Sequence, residues 1–198
     1  LDAATGTARW SFDPYRGRSS TEVQLNASRG VAYWASPGGR SDRVFYTAGS
    51  FLYAVDARTG TLAKTFGNGG RVDLHEGLDR DAEGLFVTST TPGVIYRDLL
   101  IMGTRVAEAG HAAPGYIRAY DVRTGARRWI FHTIPWPGEP GYDSWQDTGA
   151  WKTAGGVNNW AGMSLDTSRG VVYAATGSAT PDFYGGARKG SDLYSDCV

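Results

Sequence analysis

Apolar and polar positions along the chain change over short runs. Val44-Phe45-Tyr46-Thr47, Phe51-Leu52-Tyr53-Ala54-Val55 and Leu99-Leu100-Ile101-Met102-Gly103 are runs of β-formers separated by turn-forming residues. Hardly any window carries the three-to-four-residue apolar spacing of a helix. The pattern predicts an all-β chain. Residues 61 to 92 and 132 to 160 break it with long irregular stretches rich in Gly, Pro and Trp, and long loops on a rigid β scaffold are where binding concentrates.

The strand-like pieces are punctuated by a repeated turn. Asp-x-x-Thr-Gly occurs at Asp2 to Gly6, Asp56 to Gly60 and Asp121 to Gly125, with starts 54 and then 65 residues apart. Asp can accept bonds from the backbone just ahead of it and Gly accepts positive φ, so each copy predicts a tight hairpin. Eight residues after the Asp stand Trp10, Lys64 and Trp129. A Trp there is expected to wedge between neighbouring sheets. A second pattern runs through Leu25 to Tyr33 and Leu165 to Tyr173, where a polar turn ending in Ser-Arg-Gly leads into alternating β-formers. The spacing suits four-stranded propeller blades with inserted loops better than an immunoglobulin-like sandwich.

Composition narrows the function classes. Among 198 residues there are 28 Gly and 25 aromatic side chains, while 20 Lys plus Arg cancel 20 Asp plus Glu. The balance argues against a nucleic-acid binder, which needs a basic surplus, and the aromatic content argues against disorder. No apolar stretch approaches the roughly 18 residues of a membrane span. Cys197 stands alone, without haem-attachment or paired zinc spacing around it. His75 and His111 read as loop histidines.

The chain resembles the pyrroloquinoline quinone (PQQ) dependent dehydrogenases in Asn26 to Trp34, Thr88 to Glu108, Gly115 to Trp129 and Trp151 to Gly186. That family implies an eight-bladed β-propeller with tryptophan docking motifs, of which residues 1–198 are expected to be about half, truncated at both ends. Thr180-Pro181-Asp182-Phe183-Tyr184-Gly185-Gly186 resembles the sugar-oxidising, glucose dehydrogenase-like branch. So does Val23-Gln24-Leu25, where methanol-type enzymes carry adjacent cysteines.

The resemblance also implies site residues. Trp160, in Asn158-Asn159-Trp160-Ala161-Gly162, matches the tryptophan beneath the quinone ring; taken alone it reads equally as a packing Trp. Glu108 matches a carboxylate ligand of Ca²⁺, though an isolated loop glutamate is ordinarily a solvated charge. Ser178 stands where the alcohol-oxidising branch has an Asn metal ligand. Arg29 matches an arginine at the quinone oxygens, Thr90 and Thr180 match hydroxyl contacts, and Arg105 is a further partner for the cofactor's carboxylates. Arg169 has the same turn position as Arg29 without an expected role.

No catalytic residue is assigned: the family's Asp base is expected beyond Val198, and Asp182 and Asp196 are not substitutes for it. The implied activity is oxidation of a sugar or alcohol hydroxyl with PQQ and Ca²⁺, electrons passing to a quinone or cytochrome. The implied location is the periplasm, with any membrane anchor outside these residues, and the fragment alone is expected to be inactive. The alternative is a non-catalytic propeller scaffold of the outer-membrane assembly type.

Overall fold

The computed structural model of the chain describes residues 1–17, 27–186 and 188–198. Asn26 and the Val23-Gln24-Leu25 stretch lie outside the described residues. The architecture is almost entirely β. Strands β1 (Ala32–Trp34), β2 (Arg43–Ala48), β3 (Phe51–Asp56) and β4 (Arg71–Asp73) form an antiparallel sheet in chain order. A second four-stranded sheet is built from β6 (Val94–Tyr96), β7 (Leu99–Met102), β9 (Ile117–Asp121) and β10 (Arg127–Phe131), again side by side in chain order. Separately, β5 (Val87–Thr88) pairs with β8 (Arg105–Val106) as a short ribbon, and β11 (Met163–Asp166) pairs with β12 (Val171–Ala174) as a hairpin. The long 132 to 160 stretch carries only a 3-10 turn at Tyr142–Ser144 and a four-residue helix, α1 (Ala150–Thr153).

Alternation explains the first sheet. Along β2 the buried positions are Arg43, Phe45 and Thr47, and Phe45 meets Phe66 at 5.4 Å between ring centroids. In β9, Ile117, Arg118, Ala119 and Tyr120 are all buried, so this strand is covered on both faces. One face joins the main core with Leu100, Met102 and Val122. The other packs through Ile101, Ile117 and Ala119 on Met163, Val172 and Ala174 of the hairpin. Among the described residues no helix is long and apolar enough to cross a membrane.

The repeated turn has one geometry in all three copies. The Gly N–H donates to the Asp carbonyl at 2.8, 2.9 and 2.8 Å for Gly6, Gly60 and Gly125, with φ of 71°, 73° and 73°. In each, the Asp carboxylate accepts the N–H groups two and three residues on and the Thr hydroxyl. The Thr59 N–H, with further help from the Thr59 hydroxyl and Arg58, holds the Asp56 carboxyl below its ordinary value.

The seams between successive turns differ. Trp10 lies on Gly60 and donates its indole N–H to Ala57 O at 2.9 Å. Where Lys64 replaces Trp, the seam is polar instead: Arg43 donates to Val122 O at 2.7 Å, Arg123 O at 2.6 Å and Thr65 Oγ1 at 2.8 Å, and Gly67 N–H donates to Thr124 O at 2.8 Å. Trp129 follows a bulge in β10. It lines an open apolar cavity of about 520 Å³ with Ile101, Ile117, Val172 and Ala174.

A Cβ at Gly60 would stand 2.6 Å from the Trp10 ring, whereas one at Gly6 would meet nothing within 4 Å. Gly6→Ala therefore isolates the left-handed strain of the turn, about 1 kcal/mol. Gly60→Ala adds overpacking and should lose about 2–4 kcal/mol in urea denaturation; equal losses would mean that the Trp10 contact carries no stability. Because the Asp56 carboxyl is lowered in the fold, its contribution is present above its ordinary value of 3.8 and is lost as pH falls through the lower folded value. Asp56→Asn should lower stability at pH 7 and flatten the acid limb of the stability profile below about pH 3.8, measured by thermal unfolding from pH 7 to 2.

Candidate functional site

The 157–160 segment reaches its place because two glycines let backbone lie on backbone. A Cβ at Gly103 would run into Asn159, and one at Gly115 into Asn158. Gly115 N–H donates to Gly156 O at 2.7 Å and Gly156 N–H to Ala113 O at 3.0 Å. Val157 is buried with φ 53°, a costly conformation for a β-branched residue. Its N–H donates to Ser178 O at 2.9 Å. Asn159 is fully buried, and its amide nitrogen donates to Gly162 O at 2.7 Å and Ala175 O at 2.6 Å. These bonds fix the loop on either side of Trp160.

Trp160 is 48% exposed although the backbone on either side of it is anchored. It forms one wall of a cavity of about 280 Å³. Arg29, Thr90, Arg105, Glu108, Asn158 and Asp182 share that wall, along with Gly177. The ribbon explains half of the set: β5 leads to Thr90, while β8 begins at Arg105 and leads on to Glu108, with Thr88 opposite Arg105.

Arg29 closes the set from far away in sequence. Its N–H donates to Thr90 O at 2.9 Å, its Nη1 to Thr90 Oγ1 at 3.3 Å and, across 131 residues, to Trp160 O at 3.0 Å. Thr90 Oγ1 also donates to Trp160 O at 3.2 Å, and the guanidinium lies 5.4 Å from the indole centroid. Arg169, at the same turn position, pairs its exposed guanidinium with Asp166 at 2.7 Å and does not line the cavity. The shared turn pattern therefore does not set the role of such an arginine; the neighbours it meets do.

Five of the seven sequence-assigned residues, Arg29, Thr90, Arg105, Glu108 and Trp160, therefore line one cavity. Thr180 and Ser178 do not line it. Thr180 is buried with its hydroxyl unpartnered, and the Ser178 hydroxyl donates to Asp196 at 3.0 and 3.1 Å. Asp182, Asn158, Gly177, Ala27 and Val106 also line the cavity, without a site role assigned from the sequence. Burial, reinforced by the Glu108 carboxylate, raises the Asp182 carboxyl above its ordinary value.

Elsewhere, both ring nitrogens of His75 are taken, by Asp73 at 2.7 Å and Leu85 O at 2.8 Å, which suits its loop reading. His132 escaped notice in the sequence. It stacks on Trp136 at 4.8 Å and bonds Glu139 at 2.8 Å, with Asp79 at 3.4 Å.

The donor set suits a flat, anionic ligand with a hard cation. An open indole face can hold a planar ring, and two guanidinium groups can meet carboxylates. Carboxylates are the oxygen ligands a divalent ion such as Ca²⁺ takes. A Cβ at Gly177 would stand 3.6 Å from the indole nitrogen, in ordinary contact with the ring edge. Among the described residues no three His, Cys, Asp or Glu side chains gather as a metal cluster, so protein carboxylates are supplied here as a pair at most.

Residues 1–198 match the family described as "PQQ: Glucose/ethanol/alcohol dehydrogenase, beta-propeller domain". The chain is 33% identical over 197 residues to the glycerol dehydrogenase large subunit of Gluconobacter oxydans (strain 621H), covering 95% of this chain and 26% of that protein. It is 29% identical over 207 residues to quinoprotein glucose dehydrogenase A of Acinetobacter calcoaceticus, covering 95% and 25%. The crystal structure of quinohemoprotein alcohol dehydrogenase from Comamonas testosteroni superposes with a TM-score of 0.73 at 28% identity, covering 98% of this chain and 28% of that one. The chain thus spans about a quarter of the length of the curated relatives it matches.

Asn159→Ala removes two hydrogen bonds made by a fully buried side chain and should cost about 1–3 kcal/mol, with a change in tryptophan fluorescence as Trp160 loses its anchored backbone. Unchanged urea stability and an unchanged emission spectrum would show that the loop holds itself without this side chain.

Proposed function

The chain belongs to the PQQ-dependent glucose, ethanol and alcohol dehydrogenase family, and from that membership we propose that it forms part of the cofactor site of an oxidoreductase that oxidises a sugar or alcohol hydroxyl. The proposal includes bound PQQ and Ca²⁺, electron transfer to a quinone or cytochrome, and a periplasmic setting. It also takes the two four-stranded sheets as blades of an eight-bladed propeller, with the Asp-x-x-Thr-Gly turns and their Trp residues as docking motifs.

The observation that carries the reading is the convergence of Arg29, Thr90, Arg105, Glu108 and Trp160 on one cavity from positions spread across the chain. A scaffold needs docking turns but has no use for that set. When bound, PQQ would supply a two-electron acceptor and the metal a Lewis acid. Trp160 offers its open ring as the floor. Arg29 is held by Nη1 to the Trp160 and Thr90 oxygens, which among the described residues leaves Nε and Nη2 to donate to the ligand. Arg105, placed over Phe86 at 5.6 Å, gives a second guanidinium for a carboxylate. Glu108 contributes a metal-binding carboxylate.

The full-length gene product, reconstituted with PQQ and Ca²⁺, should reduce an artificial dye acceptor with glucose, another aldose, a polyol or a primary alcohol as donor. Absence of both turnover and PQQ binding would remove the enzymatic reading. Arg29→Ala should weaken PQQ binding by about 10- to 100-fold, the loss of one or two charge-assisted hydrogen bonds, and Trp160→Ala by a comparable factor. Both are read by equilibrium titration of the cofactor.

A further inference from the structure

We propose that Asp182 is a metal-ligating carboxylate of this cavity, paired with Glu108, and that Ser178 takes no direct part. The inference rests on the PQQ and Ca²⁺ reading above and names which of this chain's own residues meet the metal.

Ser178 is otherwise engaged. Its hydroxyl donates to both oxygens of Asp196, and it is absent from the cavity wall. A neutral hydroxyl that does not line the cavity has no oxygen to offer a cation held inside it.

Asp182 has the opposite character. It lines the cavity with Glu108, and its backbone N–H donates to Glu108 O at 3.2 Å, so the two side chains spring from joined points of the backbone. Among the described residues neither carboxylate makes an ion pair or a side-chain hydrogen bond. The guanidinium groups in the cavity do not neutralise them by contact: Arg29 bonds Thr90 and Trp160, and Arg105 leans on Phe86. Two like charges on one small cavity repel, and a hard divalent cation between them converts that repulsion into ligation.

Position comes from the loop rather than from any partner of the carboxylate itself. Arg188 Nη1 donates to Pro181 O at 2.8 Å and Tyr184 O at 3.4 Å, and its N–H donates to Gly185 O at 2.9 Å. The clamp holds the loop on both sides of Asp182 and leaves the carboxylate oxygens free. Asn158 adds a neutral oxygen to the same wall, since its amide nitrogen is committed to Thr104 O at 2.9 Å. Two carboxylates and an amide oxygen make an all-oxygen donor set, the preference of Ca²⁺, with the remaining positions open to ligand or water.

The test is calorimetric titration of Ca²⁺ into metal-free full-length protein, with PQQ binding measured in parallel. Asp182→Asn should weaken Ca²⁺ binding at least tenfold, and Ser178→Ala should leave it within twofold. Thermal unfolding in chelator serves as the folding control, and Asp182→Asn should match or exceed the wild type there, because it removes a like-charge contact. Wild-type Ca²⁺ affinity in Asp182→Asn, or an equal loss in Ser178→Ala, overturns the assignment while leaving the cofactor reading intact. A wild-type protein that takes up neither PQQ nor Ca²⁺ overturns both.

Discussion

Everything at the candidate site depends on two backbones being allowed to touch. Gly103 and Gly115 present no side chain to the Asn158–Asn159 segment, and the space a Cβ would need is already filled by that segment. Once the segment is seated, Asn159 is sealed in, Val157 is held in a left-handed conformation, and Trp160 emerges with its ring open. Arg29 and Thr90 then have a carbonyl to bond. A larger residue at either glycine would displace floor, arginine and threonine together, so the site is better described as one crossing than as a set of independent contacts.

The turns were legible in the sequence because their chemistry is local: Asp, Thr and Gly satisfy each other within five residues, and context cannot overrule that. The strands were legible for the same reason. The cavity was legible only through family resemblance. Its partners meet across as many as 131 residues, and no periodicity encodes such a meeting. Ser178 and Asp182 illustrate the limit from both sides. They stand four positions apart, and the resemblance makes Ser178 a metal-ligand position and sets Asp182 aside, yet Ser178 turns to Asp196 and Asp182 lines the cavity. His132 was silent because Asp79 lies far upstream in the chain.

The formal net charge of zero conceals a local arrangement that is anything but neutral. Two guanidinium groups and two carboxylates share the cavity wall, and they are kept from cancelling by other engagements: Arg29 by carbonyl and hydroxyl oxygens, Arg105 by an aromatic face. Separation of this kind preserves both polarities for a ligand that carries an anionic edge and a cation together.

The exchange of Trp for Lys64 in the second turn leaves the first sheet fastened on its two sides by different kinds of force. Contact with Trp10 is mainly apolar, so it gains strength on warming over the physiological range and weakens on cooling. The Arg43 side is a set of directional bonds from one guanidinium to three oxygens, which soluble guanidinium can mimic and displace. Cold therefore weakens the Trp10 seam selectively, whereas guanidinium acts on both seams, and the order in which the sheet's neighbours separate is a property of the solvent as much as of the chain.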